Sequence, residues 1–223
     1  MPLPMVHLSV AVSLSEAAGH FPGPDFLLGN LAPDSIHMRP HSERRDKEHV
    51  HLRDLGVSSR ELVQIFRERH GMDGSPLLGF AGGYLTHLLT DHLWWEMVIA
   101  PFHKKFPPSF PEAELRSLYY RDTDQIDVDL YRRMPWRPQA WASLEAATAA
   151  DFGSLLTGAE IMQWRDRTLR WFDDPAHDPK AEPVNISRQD TQAFIEWAAR
   201  EIAGIFSQTN QPDPTSSRPG RPL

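Results

Sequence analysis

The chain has 223 residues and no internal repeat, enough to bury one substantial core and little more, so a single domain is the expectation. Its 23 Lys and Arg against 30 Asp and Glu leave a net charge of −7, which excludes the broad basic face of a duplex nucleic-acid binder but leaves a short or single-stranded phosphodiester open. The absence of cysteine excludes disulfide frameworks and thiolate metal ribbons, confines any metal to imidazole and carboxylate ligands, and suits a reducing, cytoplasmic setting.

Leu and Ala number 43 together and Val and Ile 18, a bias toward helix over strand that predicts an all-α fold. Residues 1–18 are apolar but lack a basic leading segment, and His7, Ser9 and Ser13 interrupt them, so they do not resemble a secretory signal. They predict a first helix over 6–18, ended by Gly19, Pro22, Gly23 and Pro24, and a short helix follows over 25–31. Residues 32–58 read as a long irregular loop rich in charge, holding His37, His41, His49 and His51. Ser59 is placed to cap a helix over 59–69, and Gly71 with Gly74 punctuates the entry to the most apolar segment, 77–100. His87, Asp91 and His92 break that segment, so no stretch predicts a membrane span. Further helices are expected over 112–120, 124–133, 139–150, 158–172 and 188–206, the last opened by a capping box of Ser187 and Asp190. Between them Tyr119, Tyr120, Asp122, Asp124 and Asp127 form a polar cluster that reads as a helix start, with Asp124 as its cap. The domain is expected to fill residues 1–207, with 208–223, rich in Pro, Ser and Gln, forming a disordered tail.

The sharpest chemical feature is the run Gly82-Gly83-Tyr84-Leu85-Thr86-His87-Leu88-Leu89-Thr90-Asp91. His87 and Asp91, four residues apart, share a helical face one turn from each other and can reach one cation. Gly83 lies one turn earlier and leaves space beside them, although glycine in a helix interior costs about 1 kcal/mol relative to alanine. Alone, the spacing also fits a buried polar pair. Asp34, placed by Pro33 at the end of the apolar run Phe26-Leu27-Leu28-Gly29-Asn30-Leu31-Ala32, also fits a turn or helix cap. The histidines of Arg45-Asp46-Lys47-Glu48-His49-Val50-His51 also fit a solvated loop, and His7 a satisfied core histidine.

Taken together, these pieces resemble the bacterial zinc-dependent phospholipase C family in its broad form, which includes short intracellular members. The resemblance rests on the early His7, on Leu28-Gly29-Asn30-Leu31-Ala32-Pro33-Asp34, on Asp46-Lys47 with a histidine shortly after, and on Gly83 to Asp91. It covers roughly residues 1–105, and the remainder only in helical character. It implies a multi-helix domain of the phospholipase C and P1 nuclease type, with a first zinc bound by Asp34, His51, His87 and Asp91. Asp91 is then placed to bridge to a second ion that His7 also touches. His51 stands where the family has its histidine after Asp-Lys, before the apolar Leu52, and His49 remains the alternative. The secreted members add an N-terminal amino ligand and a third metal held by a later His, His and Glu. Here no cleavable signal and no convincing later His-x-x-x-Glu are found, which leaves one or two ions, zinc or another divalent metal.

The implied activity is hydrolysis of a small phosphoester or phospholipid head group through metal-activated water, with Asp34 as general base and Arg39, Arg45 or Lys47 offsetting phosphate charge. Two rivals stand beside it: a metal that only staples the N-terminal half of a non-catalytic helical protein, and a metal-free helical interaction domain.

Overall fold

The structure, a computed structural model, describes residues 3–70 and 76–209. The glycines at 71 and 74 and the tail from 210 onward lie outside the described residues, and residues 208–209 continue the last helix. Among the described residues there is no β-strand, only an isolated bridge between Phe152 and Leu156, so the all-α expectation holds. No helix among them is long and apolar enough to cross a membrane.

Helix α1 (Pro4–Ala17) begins with proline at its first turn, where the missing N–H costs nothing, and it is buried almost all round. Helix α2 (Pro24–Leu31) starts the same way and runs directly into a 3-10 segment, Ala32–Met38. Residues 32–58 are therefore not the long irregular loop that their charge implied. They hold that segment, helix α3 (Arg44–Val50) and a second 3-10 turn, Arg53–Leu55. The reason lies in local capping: Glu43 and Asp46 form a reciprocal box, with Asp46 accepting from the Glu43 amide at 2.8 Å. Helix α4 (Ser59–His70) is capped by Ser58 rather than Ser59, because Ser58 accepts from the Glu61 amide while Glu61 accepts from the Ser58 amide.

Helix α5 (Gly79–Trp94) is the axis of the molecule and lies against α2 so closely that no side chain fits between them at the crossing. A Cβ on Gly83 would sit 1.9 Å from the Phe26 carbonyl oxygen, and one on Gly29 2.0 Å from that of Phe80. The space at Gly83 therefore admits the backbone of α2 rather than the ligands themselves. A π turn, Trp95–Ile99, follows α5 and leads into the short α6 (Ala100–His103). The two helices expected over 112–120 and 124–133 are one, α7 (Glu112–Arg133), because no glycine or proline interrupts the span. Two of the aspartates that looked like a helix start, Asp122 and Asp127, face inward. Asp122 accepts from the amides of Val184, Asn185 and Ile186, and Asp127 accepts from the Met5 amide at 2.8 Å, at the start of α1. Asp124 caps nothing, since it lies mid-helix.

Helices α8 (Arg137–Ala146) and α9 (Gly158–Trp171) cover α2 and the 3-10 segment after it, and α10 (Arg188–Thr209) lies along α1. Ser187 accepts from the Asp190 amide at 3.0 Å and caps α10 as its spacing implied. One continuous apolar core joins Met5 to Phe206. Of the seven tryptophans, Trp94 and Trp141 are buried, while Trp95 and Trp171 are exposed.

Candidate metal centre

Five side chains from four separate segments converge in the N-terminal half: His7 from α1, Asp34 from the 3-10 segment after α2, His51 at the end of α3, and His87 and Asp91 from α5. All are buried, none more than 5% exposed. Helical packing alone does not account for their directions, because hydrogen bonds orient the rings of His51 and His87 and stacking orients that of His7.

His87 Nδ1 lies 2.8 Å from the Asn30 carbonyl oxygen, and His51 Nδ1 lies 2.9 Å from that of Lys47. A carbonyl can only accept, so both Nδ1 atoms carry the proton and both Nε2 lone pairs are left for the cluster. The close approach permitted by Gly83 brings the Asn30 carbonyl within reach. Tyr84, one turn before His87, donates to the Val50 carbonyl at 2.7 Å and so anchors the end of α3 beside His51. Burial raises the Tyr84 hydroxyl well above its ordinary pKa and keeps it a donor. The His7 ring stacks on His87 with centroids 3.7 Å apart and planes 3° from parallel.

Across the cluster, Nε2 of His51 lies 3.5 Å from Asp34 Oδ1 and 3.7 Å from Asp91 Oδ2. Nε2 of His87 lies 3.9 Å from Asp91 Oδ2, and Nε2 of His7 lies 3.6 Å from Asp91 Oδ1. These separations are too long for good hydrogen bonds, and both nitrogens of His7, Nε2 of His51 and His87, and Oδ1 of Asp34 and Asp91 lack any hydrogen-bond partner. Leaving a buried polar atom unpaired costs about 1–3 kcal/mol, so a cluster of this kind needs something at its centre. Ligands arranged tetrahedrally at about 2.1 Å from an ion are roughly 3.4 Å apart, and these four pairs lie 3.5–3.9 Å apart, although the residues gather in groups of three rather than one group of four. His7, Asp34 and His87 form one group able to hold a cation, and His51, His87 and Asp91 a second. The buried His and Asp residues can thus hold a metal, and they comprise all five expected ligands.

The electrostatics agree. Burial, reinforced by the neighbouring His87, holds His7 well below its ordinary pKa of 6.5, and burial lowers His87 as well. For Asp34 burial acts upward, but the adjacent His51, His87 and His7 overcome it and hold the carboxyl below the usual range. Asp91 is lowered too, as His87, His51, His7 and Arg53 outweigh its burial. Neutral imidazoles facing ionised carboxylates are the protonation states that metal ligation requires.

The other candidates lie elsewhere. His49 is exposed and faces Asp54 at 3.3 Å, which removes it as the alternative to His51, and His37 is exposed beside Trp164. Arg39 is committed to Glu160 at 2.7 Å and to the Leu155 carbonyl at 2.8 Å, and Arg45 pairs with Glu43 on the surface. The basic group that does reach the cluster is Arg53, whose Nη2 donates to Asp91 Oδ2 at 2.8 Å. Sequence reasoning missed it, and no local pattern around Arg53 marks it. It also overlooked a later His-x-x-x-Glu: His92 and Glu96 have that spacing and pair at 3.3 Å, half exposed one residue past Asp91.

Comparisons of the chain with protein-family models, with curated proteins and with solved structures give no match.

Proposed function

We propose that the chain is a zinc-dependent hydrolase of a small phosphoester or phospholipid head group, built on a helical scaffold of the phospholipase C and P1 nuclease type. The observation that carries this reading is the convergence of five buried imidazoles and carboxylates from four segments, each with at least one unpartnered nitrogen or oxygen, and with the tautomers of His51 and His87 set by carbonyl acceptors. Zinc held there supplies a water acidified toward neutrality and a Lewis acid for a phosphoryl oxygen. His51, His87 and Asp91 form one group that would hold an ion, with Asp34 Oδ1 beside them 3.5 Å from His51 Nε2, while the other oxygen of Asp91 faces His7 at 3.6 Å. Asp34 Oδ1, unpartnered and ionised, is the oxygen available to accept a proton from a nucleophilic water.

One observation favours a second reading. All five ligands are nearly sealed from solvent, as in a structural site that staples α1, α3 and α5 together. The two readings part on turnover. Purified protein is expected to carry near-stoichiometric zinc, lost in His87→Ala and Asp91→Ala, and to hydrolyse an aryl phosphomonoester or phosphodiester. Asp34→Asn is expected to lower that rate at least about a hundredfold, the scale of a missing general base. Zinc without turnover on any phosphoester leaves the structural reading; protein that cannot be loaded with zinc, manganese or iron sinks both.

A further inference from the structure

Arg53 joins the buried cluster to solvent. Its guanidinium is 2.8 Å from Asp91 Oδ2, yet its side chain is 47% exposed where that of Asp91 is 3% exposed. The backbone is bent to allow this. Leu52 adopts the left-handed conformation, with φ of 51°, although it is buried and branched, a strain on the order of 1 kcal/mol. The reversal sends His51 to Asp91 from the interior side, its Nε2 3.7 Å from Oδ2, and Arg53 to the same oxygen from the solvent side. Asp91 Oδ2 is therefore the atom toward which two imidazole lone pairs point, and also the atom that a fixed positive charge now holds.

A guanidinium and a divalent cation repel, so each weakens the other's hold on a shared carboxylate oxygen. Arg53 cannot become a ligand, since it has donors only. With a half-exposed side chain and a planar fork of N–H groups, it is suited to turn toward an anion on the solvent side of Asp91, where bidentate contact with phosphate is its strongest interaction. Of the nearby basic residues, Arg39 pairs with Glu160, Arg44 with Glu48 and Arg45 with Glu43, and only Arg53 reaches a carboxylate of the cluster among the ion pairs described.

We propose that Arg53 has two partners in turn. It is the counter-ion of Asp91 in the metal-free protein and the substrate-binding group for an ionised phosphoryl once a divalent ion is in place. The site then selects anionic phosphoesters over neutral esters and amides. This inference rests on the cluster holding a metal.

The test is a calorimetric titration of zinc into the metal-free full chain, followed by titration of inorganic phosphate into the zinc-loaded protein, for wild type, Arg53→Gln and Arg53→Lys. Arg53→Gln is expected to bind zinc at least as tightly as wild type, because the competitor for Asp91 is gone. It is expected to bind phosphate roughly ten- to a hundredfold more weakly, as the loss of charge-assisted hydrogen bonds implies. Arg53→Lys keeps the charge without the fork; it is expected to fold, to retain zinc and to bind phosphate with intermediate affinity. Zinc binding with phosphate affinity unchanged in both variants, or with no phosphate binding by wild type, overturns the role of Arg53 and leaves the metal site standing. Weaker zinc binding in Arg53→Gln overturns the competition. A wild type that takes no metal at all overturns the metal reading and this inference with it.

Discussion

His7 and His87 lie face to face, 3.7 Å apart, where two imidazolium ions could not stand without strong repulsion. The folded chain therefore refuses protons that the unfolded chain accepts near the ordinary pKa of 6.5, and acidification favours unfolding. Asp34 and Asp91 act in the same direction further down, because they remain ionised in the fold below the ordinary value of 3.8. The metal-free protein is thus expected to be fully stable above about pH 7, to lose stability through about pH 6, and to lose more below about pH 4. Urea unfolding midpoints measured in a chelator across that range check this, and a midpoint that stays flat between about pH 7 and pH 5 contradicts it. The same lone pairs that resist protons are the ones offered to a cation, so zinc affinity should fall over the same upper range.

At the scale of elements, the site depends on how closely α2 lies against α5. Gly83 and Gly29 face each other's helix backbones, and the Asn30 carbonyl that orients His87 lies in this contact. Gly83→Ala is expected to force the helices apart at a cost of about 1–3 kcal/mol or more, and to lose metal although no ligand has changed. Chemical denaturation and elemental analysis of that variant decide the point; wild-type stability with a full metal content would show that α2 can yield without moving Asn30 and Asp34. A second junction joins α7 to α1. Burial pushes the Asp127 carboxyl well above its ordinary pKa, so the fold accommodates a neutral acceptor for the Met5 amide. Asp127→Asn is expected to be close to neutral, and Asp127→Ala to cost about 1 kcal/mol through the lost cap at the start of α1, both read from unfolding midpoints. Neither junction shows in a pattern of apolar residues. The α2–α5 contact is written in glycines, whose purpose depends on the opposite helix, and the α7–α1 contact pairs residues more than a hundred positions apart.

For the whole molecule, a metal bound by His7, Asp34, His51, His87 and Asp91 ties α1, the segment after α2, α3 and α5 into one unit. Metal at a hundredfold excess over its Kd is expected to stabilise the fold by about 2.7 kcal/mol, and a chelator to remove that gain. Proteolysis in the chelator should reach the segment from Arg44 to Leu55 sooner than α7 or α10, whereas an unchanged melting temperature and digestion pattern would favour a metal-free polar cluster. The all-α class and most helix positions were legible because leucine and alanine dominate and because proline and glycine mark the breaks, both of which act locally. The five residues of the buried cluster were legible as types able to hold a metal without cysteine, but what drew them together was the resemblance of their motifs to a known family, since each alone also fitted a plain structural role. Tertiary structure alone excluded His49, which an exposed contact with Asp54 draws away, and admitted Arg53, which nothing near it in the chain marks. It also merged the two helices around Asp122 into α7, since only distant amides reveal that Asp122 and Asp127 face inward. Residue chemistry and local periodicity belong to the sequence, whereas the direction of each lone pair and the partner of each buried charge depend on which backbones pack together.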